Sequence, residues 1–353
     1  MRALMSAASI RPVVQPSVQA GCSMNEATGS KHAEQWAAHW YAVARSPALG
    51  TGRPLGIQRL GRRLVLWRDA AGEAHCADAA CPHRGADLGL GRVRQGALEC
   101  PYHGFRYGGG GACLAMPCEG PDAKPSRGLA LRMHPVREAH GFIWAWLGGR
   151  APASLPALPW LADAPEPDSS SAAVEEVWNA RFTRVMEGMM DLHHFPFAHR
   201  RYVPPGYTRL DPYEVHVDAG AIRTVGWLRK ETRPPGTGFR FAIDVGYPGV
   251  LHLRFTPRLV AAVVCTPVDA EHTWIAARFH QQYVRLPGLR WLAARLAIAF
   301  EFRFIQPDDY RMVRSSLPRS GALTHGTLIR ADRAIVAWHE LHRAALGDTP
   351  GAS

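Results

Sequence analysis

The sequence predicts an α+β fold, in which a small all-β region precedes a larger region that combines helices with an antiparallel sheet. Glycine and proline are abundant, with 34 and 28 residues in a chain of 353, which favours turns and short strands. Strand-like runs recur through residues 36–146. A second series of closely spaced strands covers residues 214–284, and helical segments follow at about Leu289–Phe304 and Ala331–Leu346.

These patterns divide the chain into four parts. Residues 1–35 are aperiodic and are predicted to form a disordered tail. Residues 36–150 are predicted to form the all-β domain, residues 151–172 a linker rich in Ala, Pro, Asp and Ser, and residues 173–353 the second domain. Within the second domain, the segment Val174–His199 predicts a strand followed by a helix that breaks near Pro196.

The tail leaves alternatives open. It is too polar for a secretory signal, and its first 25 residues hold two Arg and no acidic residue, so an organelle transit peptide is a second interpretation. Met24 is an alternative start, which would leave residues 1–23 untranslated.

Composition and charge exclude several classes of protein. A formal charge of +11 is compatible with simple solubility or with the steering of an acidic partner or an anionic substrate, but no nucleic-acid motif is present. No apolar stretch is long enough to span a membrane, so we expect no membrane partner. The seven irregularly spaced cysteines do not predict a secreted disulfide framework. A cytoplasmic location is expected.

The strongest motif combines two cysteines with two histidines. Cys81 and His83 are separated from Cys100 and His103 by sixteen residues, in the pattern C-x-H-x16-C-x2-H. A [2Fe–2S] cluster with two Cys on one iron and two His on the other needs this set of ligands, one pair from each loop. A zinc site is the alternative, but zinc sites favour C-x2-4-C and H-x3-5-H pairs.

A second motif, D-x2-H-x4-H, is formed by Asp191, His194 and His199. A non-haem Fe(II) oxygenase needs two His and one carboxylate on one face of the metal, with the remaining positions open. His193 competes with His194 for the ligand role, although the spacing favours His194 and leaves His193 as a wall of the site.

The two motifs together resemble the terminal oxygenases of the Rieske ring-hydroxylating and demethylating family, over nearly all of residues 36–346. The loops Cys81–Ala86 and Cys100–Phe105 look like the family's cluster loops, whereas respiratory Rieske proteins carry an additional Cys at the places of Ala86 and Tyr102. The resemblance implies that the second domain is a helix-grip antiparallel-sheet catalytic domain.

The resemblance also implies roles for the second motif. His194 and His199 would be iron ligands, and Asp191 would be a hydrogen-bonded bridge from His194 to His103 of a neighbouring subunit. The third ligand would be Asp309, with Asp308 as the alternative. Gly188 departs from the Asn that close relatives have three residues before the bridging Asp.

The activity implied by the resemblance is oxygenation of a small aromatic or apolar substrate with O₂. Its cofactors would be a [2Fe–2S] cluster and a mononuclear Fe(II), and an NAD(P)H-dependent reductase, a ferredoxin or both would supply electrons to a homotrimer. We expect mono-oxygenation or demethylation rather than cis-dihydroxylation. A Rieske electron-transfer protein without oxygenase activity is the alternative, and a ligand-binding or sensory protein is a third. Candidate pocket residues are Trp227, Phe239, Phe241, Tyr247 and Phe255.

Overall fold

The computed structural model describes residues 36–168, 170–218, 220–319 and 327–347. The predicted tail, residues 1–35, and its alternative start at Met24 lie outside the described residues. No helix in the described ranges is both long and apolar enough to cross a lipid bilayer.

The first part of the described chain consists of short antiparallel strands. Their bounds are β1 (His39–Arg45), β2 (Leu55–Arg59), β3 (Arg62–Arg68), β4 (Ala74–Asp78), β5 (Arg92–Arg94), β6 (Ala97–Glu99), β7 (Arg106–Tyr107), β8 (Cys113–Ala115), β9 (Met133–His134), β10 (Val136–Ala139) and β11 (Phe142–Leu147). They form three small sheets with the orders β1-β11-β10, β2-β3-β4-β9 and β5-β6-β7-β8. This part is all-β, as the alternation of apolar residues predicted.

The second part combines one large sheet with helices. Its elements are β12 (Ser171–Trp178), α1 (Phe182–Met190), α2 (Phe195–Ala198), β13 (Tyr207–Asp218), β14 (Ala221–Lys230), β15 (Phe239–Gly246), β16 (Val250–Thr256), β17 (Leu259–Pro267), β18 (Thr273–Gln281), α3 (Leu289–Phe300), α4 (Gln306–Ser315) and α5 (Arg333–Leu346). The strands are antiparallel in the order β12-β18-β17-β16-β15-β14-β13. The predicted α+β class is therefore confirmed.

The inner face of the large sheet carries the main core. Alternate residues such as Leu251, Val263 and Ile275 point to this face and pack with Phe182 of α1 and Trp338 of α5. The helices therefore cover one face of the sheet, and the buried space between the two layers is where a site can be walled off from water.

The outer face of the large sheet packs against the small sheets and against residues 151–168, which contain no helix or strand. Trp40 and Trp144 share a buried cluster with Trp274 of β18. The Thr266 hydroxyl donates a 2.6 Å hydrogen bond to the Ala42 carbonyl oxygen, and Trp40 Nε1 donates a 2.9 Å bond to the Pro156 oxygen. The small sheets are thus fixed to the large one by both packing and hydrogen bonds.

Two histidines are buried on this outer face. His252 and His280 are 2% and 3% exposed. Both ring nitrogens of His252 and Nε2 of His280 lack hydrogen-bond partners among the described residues. Burial, together with Arg254 beside His252 and Arg278 beside His280, lowers the pKa of each imidazole to about 4.

We predict that these two histidines destabilise the fold in acid. Because the folded pKa of about 4 lies below the ordinary value of 6.5, the unfolded chain binds more protons between these values. The free energy of unfolding should therefore fall as the pH decreases below 6.5, by about 2 kcal/mol per histidine at pH 5. Urea unfolding at pH 7 and pH 5 measures this loss.

The double variant His252→Gln/His280→Gln should lose less stability than the parent between the two pH values. His216→Gln, which changes a histidine whose side chain is 71% exposed, should behave like the parent. An equal pH-dependent loss in the double variant and the parent would show that other groups cause the acid sensitivity.

Candidate functional site

Two loops of the β-region repeat the same backbone frame around a cysteine. The Cys81 N–H donates to the Ala86 oxygen and the Gly85 N–H to the Cys81 oxygen, at 2.9 and 2.8 Å. The Cys100 N–H donates to the Phe105 oxygen and the Gly104 N–H to the Cys100 oxygen, at 2.8 and 3.1 Å. Each loop is therefore a tight turn that is closed by two backbone hydrogen bonds at its own cysteine.

The turn depends on a glycine in each loop. Gly85 and Gly104 occupy equivalent places with φ of 71° and 72°, a left-handed conformation that a side chain disfavours. These two glycines allow each loop to close within six residues.

The four predicted cluster residues come together between the loops. The Cys81 and Cys100 side chains are buried, whereas the His83 and His103 rings lie toward the surface with their centroids 4.7 Å apart. Burial raises the pKa of the Cys100 thiol, and the N–H groups of Tyr102 and His103 that point at its sulfur act in the opposite direction. Two inward thiols and two outward imidazoles fit the ligand set of a Rieske-type cluster.

Tyr107 adds a contact that the sequence motif did not reveal. Its side chain is fully buried, and its hydroxyl lies 3.2 Å from Cys81 Sγ. No spacing rule pointed to this residue, because the contact arises from the pairing of β7 with the neighbouring strands rather than from the cluster loops.

The second site begins where α1 ends. The helix stops at Asp191, which has extended backbone angles, and the Asp191 carboxylate accepts hydrogen bonds from the N–H groups of His193 and His194 at 2.7 and 3.3 Å. Pro196 then lies in the first turn of α2, where proline is tolerated. The chain therefore turns at Asp191, and the prediction of a break near Pro196 was misplaced by one turn.

Three side chains converge after this turn. His194 Nε2 and His199 Nε2 lie 3.3 Å apart, and Asp309 Oδ1 of α4 lies 3.2 Å from the first and 2.8 Å from the second. His199 is fully buried, and Asp309 Oδ1 is buried without a hydrogen bond of acceptable geometry. Two imidazole nitrogens and a carboxylate oxygen directed at one point form the donor set of a metal site.

The electrostatics of this site favour a positive charge at the point of convergence. Burial lowers the pKa of His194, but the nearby carboxylates of Asp191 and Asp309 outweigh it and raise the value to about 10. Burial raises the pKa of Asp309, yet its contacts with His194 and His199 bring the value below the ordinary one. Either a proton or a metal cation is stabilised there.

Neighbouring residues take different places. Asp308 Oδ2 lies 4.0 Å from Nδ1 of His199, away from the shared nitrogens, and Asp308 also pairs with Arg311 at 3.4 Å. The His193 ring packs edge-on against Tyr213, with the ring centroids 4.7 Å apart. The geometry therefore brings Asp309 to the histidine pair and leaves the His193 ring packed against Tyr213, outside the residues that line the pocket.

Gly188 gives α4 room to approach α1. A Cβ atom at Gly188 would lie 2.5 Å from Cγ2 of Val313, one turn beyond Asp309 in α4. A side chain at this position would require the Val313 methyl group to shift. The glycine that departs from Asn at this position therefore has a packing role between the two helices.

A mostly apolar pocket opens beside the triad. Phe241 and Phe255 line it as predicted, whereas Trp227, Phe239 and Tyr247 do not. The Tyr247 hydroxyl instead forms a 2.9 Å hydrogen bond with Nδ1 of His342. Phe239, at the start of β15, is 46% exposed. The pocket is also lined by residues that the sequence did not single out, and they follow α3: Glu301, Phe302, Ile305 and Gln306.

Comparisons with known proteins agree with this geometry. The Rieske [2Fe-2S] domain family matches residues 39–135. The vanillate O-demethylase oxygenase subunit of Pseudomonas sp. is 33% identical over 201 residues, or 56% of this chain and 54% of its own. The 3-chlorobenzoate-3,4-dioxygenase oxygenase subunit of Comamonas testosteroni is 32% identical over 162 residues, or 46% and 37%.

Solved structures extend the likeness to the whole fold. The crystal structure of dicamba monooxygenase bound to dicamba has a TM-score of 0.69 and 21% identity, and covers 89% of this chain and 98% of its own. At this identity the likeness establishes the fold. The chain spans between 26% and 54% of the length of the curated relatives compared. The chain thus contains a Rieske [2Fe–2S] domain.

We predict that Tyr107→Phe lowers the reduction potential of the cluster. A hydroxyl that donates to a cluster sulfur stabilises the more negative reduced state, and its removal favours the oxidised state. A shift on the order of 60 mV would correspond to a tenfold change in the one-electron equilibrium. A redox titration followed by EPR measures it.

The control is Tyr41→Phe, which removes another buried hydroxyl, bonded to the Ala37 oxygen at 2.9 Å and remote from the cluster loops. Its potential should equal that of the parent. An unchanged potential in Tyr107→Phe would mean that this hydroxyl does not act on the cluster.

Proposed function

We propose that this chain, which carries a Rieske [2Fe–2S] domain and has the fold of Rieske oxygenases, is the oxygenase component of a system that uses O₂ to oxidise a small apolar substrate. The observation that carries the proposal is the convergence of His194, His199 and Asp309 beside an apolar pocket. A protein that only transfers electrons has no need of this second donor set.

In this proposal Cys81, His83, Cys100 and His103 hold the cluster, and His194, His199 and Asp309 hold a mononuclear iron. When bound, the cluster supplies electrons one at a time and the iron supplies the site where O₂ is activated. The orphaned Asp309 Oδ1 and the fully buried His199 fit such a metal.

The chain's own residues would orient and shield this chemistry. Asp191 accepts backbone hydrogen bonds from His193 and His194, and its second oxygen lies 3.7 Å from Nδ1 of His194. This carboxylate fixes the direction of the His194 ring and so presents Nε2 to the shared point. Phe241, Phe255 and Phe302 exclude water from the pocket and would hold an apolar substrate there.

The relatives and the cysteines support proposals for the electron donor, the assembly, the reaction and the location of the protein. The relatives are described as oxygenase subunits, which supports an NAD(P)H-dependent reductase, a ferredoxin or both as the electron source. We further propose a homotrimer in which Asp191 of one subunit bridges toward His103 of the next. The vanillate O-demethylase subunit among the relatives supports demethylation or mono-oxygenation, whereas the 3-chlorobenzoate-3,4-dioxygenase subunit leaves dihydroxylation as the alternative. The six cysteines described form no disulfide with one another, and two of them are the proposed cluster ligands, which supports a cytoplasmic location.

We predict that Asp309→Ala loses the mononuclear iron and that Asp308→Ala keeps it. Asp309 would supply one of three ligands to the iron, so its removal should weaken iron binding strongly. The Asp308 carboxylate lies 4.0 Å from Nδ1 of His199 and away from the metal-facing Nε2, so its removal should matter little. The measurement is iron and acid-labile sulfide content with EPR of the anaerobically purified, dithionite-reduced protein. The parent should hold about three irons and two sulfides per chain, as one [2Fe–2S] cluster and one further iron.

Asp308→Ala is the matched control because it removes the adjacent carboxylate of the same helix turn. A parent that holds only two irons per chain after reconstitution would favour the electron-transfer protein. Iron lost equally from both variants would contradict the assignment of Asp309.

We also predict that Asp191→Asn slows electron transfer between the two sites while the metal content stays the same. The amide keeps the side-chain shape but loses the charge that orients His194, and changes of this kind cost roughly tenfold to a hundredfold in activity. The measurement is the rate at which the reduced cluster is reoxidised by O₂ in a single turnover. A variant that has lost iron, or one that reoxidises at the parent's rate, would contradict the bridging role.

A further inference from the structure

One helix turns an apolar stripe toward solvent. Along α3 and the π-helical turn Glu301–Ile305 that follows it, large apolar side chains recur every three or four residues and are between 45% and 62% exposed. We call these residues the outer stripe, and they are Leu289, Leu292, Leu296, Phe300 and Phe304. A continuous exposed apolar surface of this kind marks an interaction site rather than a chance exposure.

The outer stripe continues onto neighbouring residues. The Tyr202 ring packs edge-on against Phe300 at 5.5 Å between centroids, and Phe300 lies 5.2 Å from Phe304. Phe197 of α2 and Trp291 of α3 are also exposed, by 64% and 50%. The apolar surface therefore spans the whole of α3 and reaches the segment after α2.

Arginines on these segments and next to them in the chain have no acidic partners among the described residues. Arg200, Arg201, Arg285, Arg295 and Arg303 are exposed, and none has an ion pair within the ranges that the structure describes. Arg295 lies over the Trp291 ring at 4.8 Å and Arg303 over the Phe304 ring at 5.4 Å. The sole acidic residue between positions 285 and 304 is Glu301, which lines the pocket instead.

The combination of exposed apolar side chains with unpaired arginines indicates the chemical class of the binding partner. Helices that lie in a lipid interface combine Leu, Phe and Trp on one face with basic residues at its border. Each arginine near an anionic lipid surface strengthens binding, whereas a second copy of the stripe would set unpaired arginines against one another. We propose that the outer stripe binds the surface of an anionic lipid bilayer.

The absence of a spanning segment had predicted no membrane partner. A span needs about 20 consecutive apolar residues, but an interfacial contact needs only one exposed face of a shorter helix. Which residues of α3 are exposed is fixed by the packing of Ala294 and Ile298 against the sheet, and the sequence does not reveal it.

The location has a consequence for the substrate, which rests on the proposed function. Phe302 and Ile305 line the pocket, while Phe300 and Phe304 face outward from the same turn. A membrane in contact with the outer stripe would thus lie one helix away from the active site. The substrate class that fits is a lipophilic compound dissolved in the bilayer rather than a polar metabolite in water.

The test uses the full-length holoenzyme and vesicle flotation. Vesicles of phosphatidylcholine alone are compared with vesicles of equimolar phosphatidylcholine and phosphatidylglycerol. The parent should float with the anionic vesicles, and binding should weaken with salt. Trp291→Glu/Leu296→Glu should abolish binding, and Arg295→Gln/Arg303→Gln should weaken it roughly thirtyfold.

Matched controls change exposed residues elsewhere. Val177→Glu/Val217→Glu adds the same two charges at positions that are 47% and 53% exposed, and Arg53→Gln/Arg127→Gln removes two other exposed arginines. Both controls should bind like the parent. Unchanged cluster EPR and iron content in every variant confirms that each one is folded.

Other results would overturn the proposal. These are a parent that does not bind anionic vesicles, a control pair that loses binding as the stripe variants do, or a parent that binds no lipid and whose oligomer is dissociated by Trp291→Glu/Leu296→Glu in sedimentation. Because flotation requires no turnover, a failure here leaves the oxygenase assignment intact. Loss of the iron signal from the parent would instead contradict the proposed function and not the lipid contact.

Discussion

The close approach of α1 and α4 at Gly188 is the constraint on which the second site depends. α1 ends in the turn that carries Asp191, His194 and His199, and the first turn of α4 carries Asp309. Val313 packs where a side chain of residue 188 would otherwise stand. Where the two helices meet, a carboxylate from late in the chain lies within 3.2 Å of both histidine nitrogens.

The neighbouring Glu187 ties the same helix to a third element. Its carboxylate accepts hydrogen bonds from Arg184 at 2.6 Å and from His339 of α5 at 2.7 Å. α1 is therefore held on both sides, by packing against α4 and by a buried polar link to α5. A site that must keep three donor atoms in place is built on the most constrained helix of the layer.

The cluster residues were predictable from sequence because each loop encloses its own ligands within six residues, and local spacing then determines geometry. The Asp191–His199 turn was predictable for the same reason. The choice between Asp308 and Asp309 was not, because adjacent residues on a helix point in directions about 100° apart and only tertiary packing selects one. β15 falls inside the strand series predicted over residues 214–284, and its buried Asp244 pairs with Arg254 of the next strand. The helix at Gln306–Ser315 was not predicted, and Pro307 lies in its first turn, where proline is tolerated.

The turn Glu301–Ile305 joins the pocket to the outer stripe. It is π-helical, a conformation with one more residue in each hydrogen-bonded ring than an α-helix and one that is frequent at functional sites. Phe302 and Ile305 of this turn line the pocket, while Phe300 and Phe304 continue the exposed i, i+4 series of α3 on the other side. The same stretch of helix therefore supplies apolar walls to the pocket and completes the apolar face outside it, so a lipophilic substrate is suited to both environments.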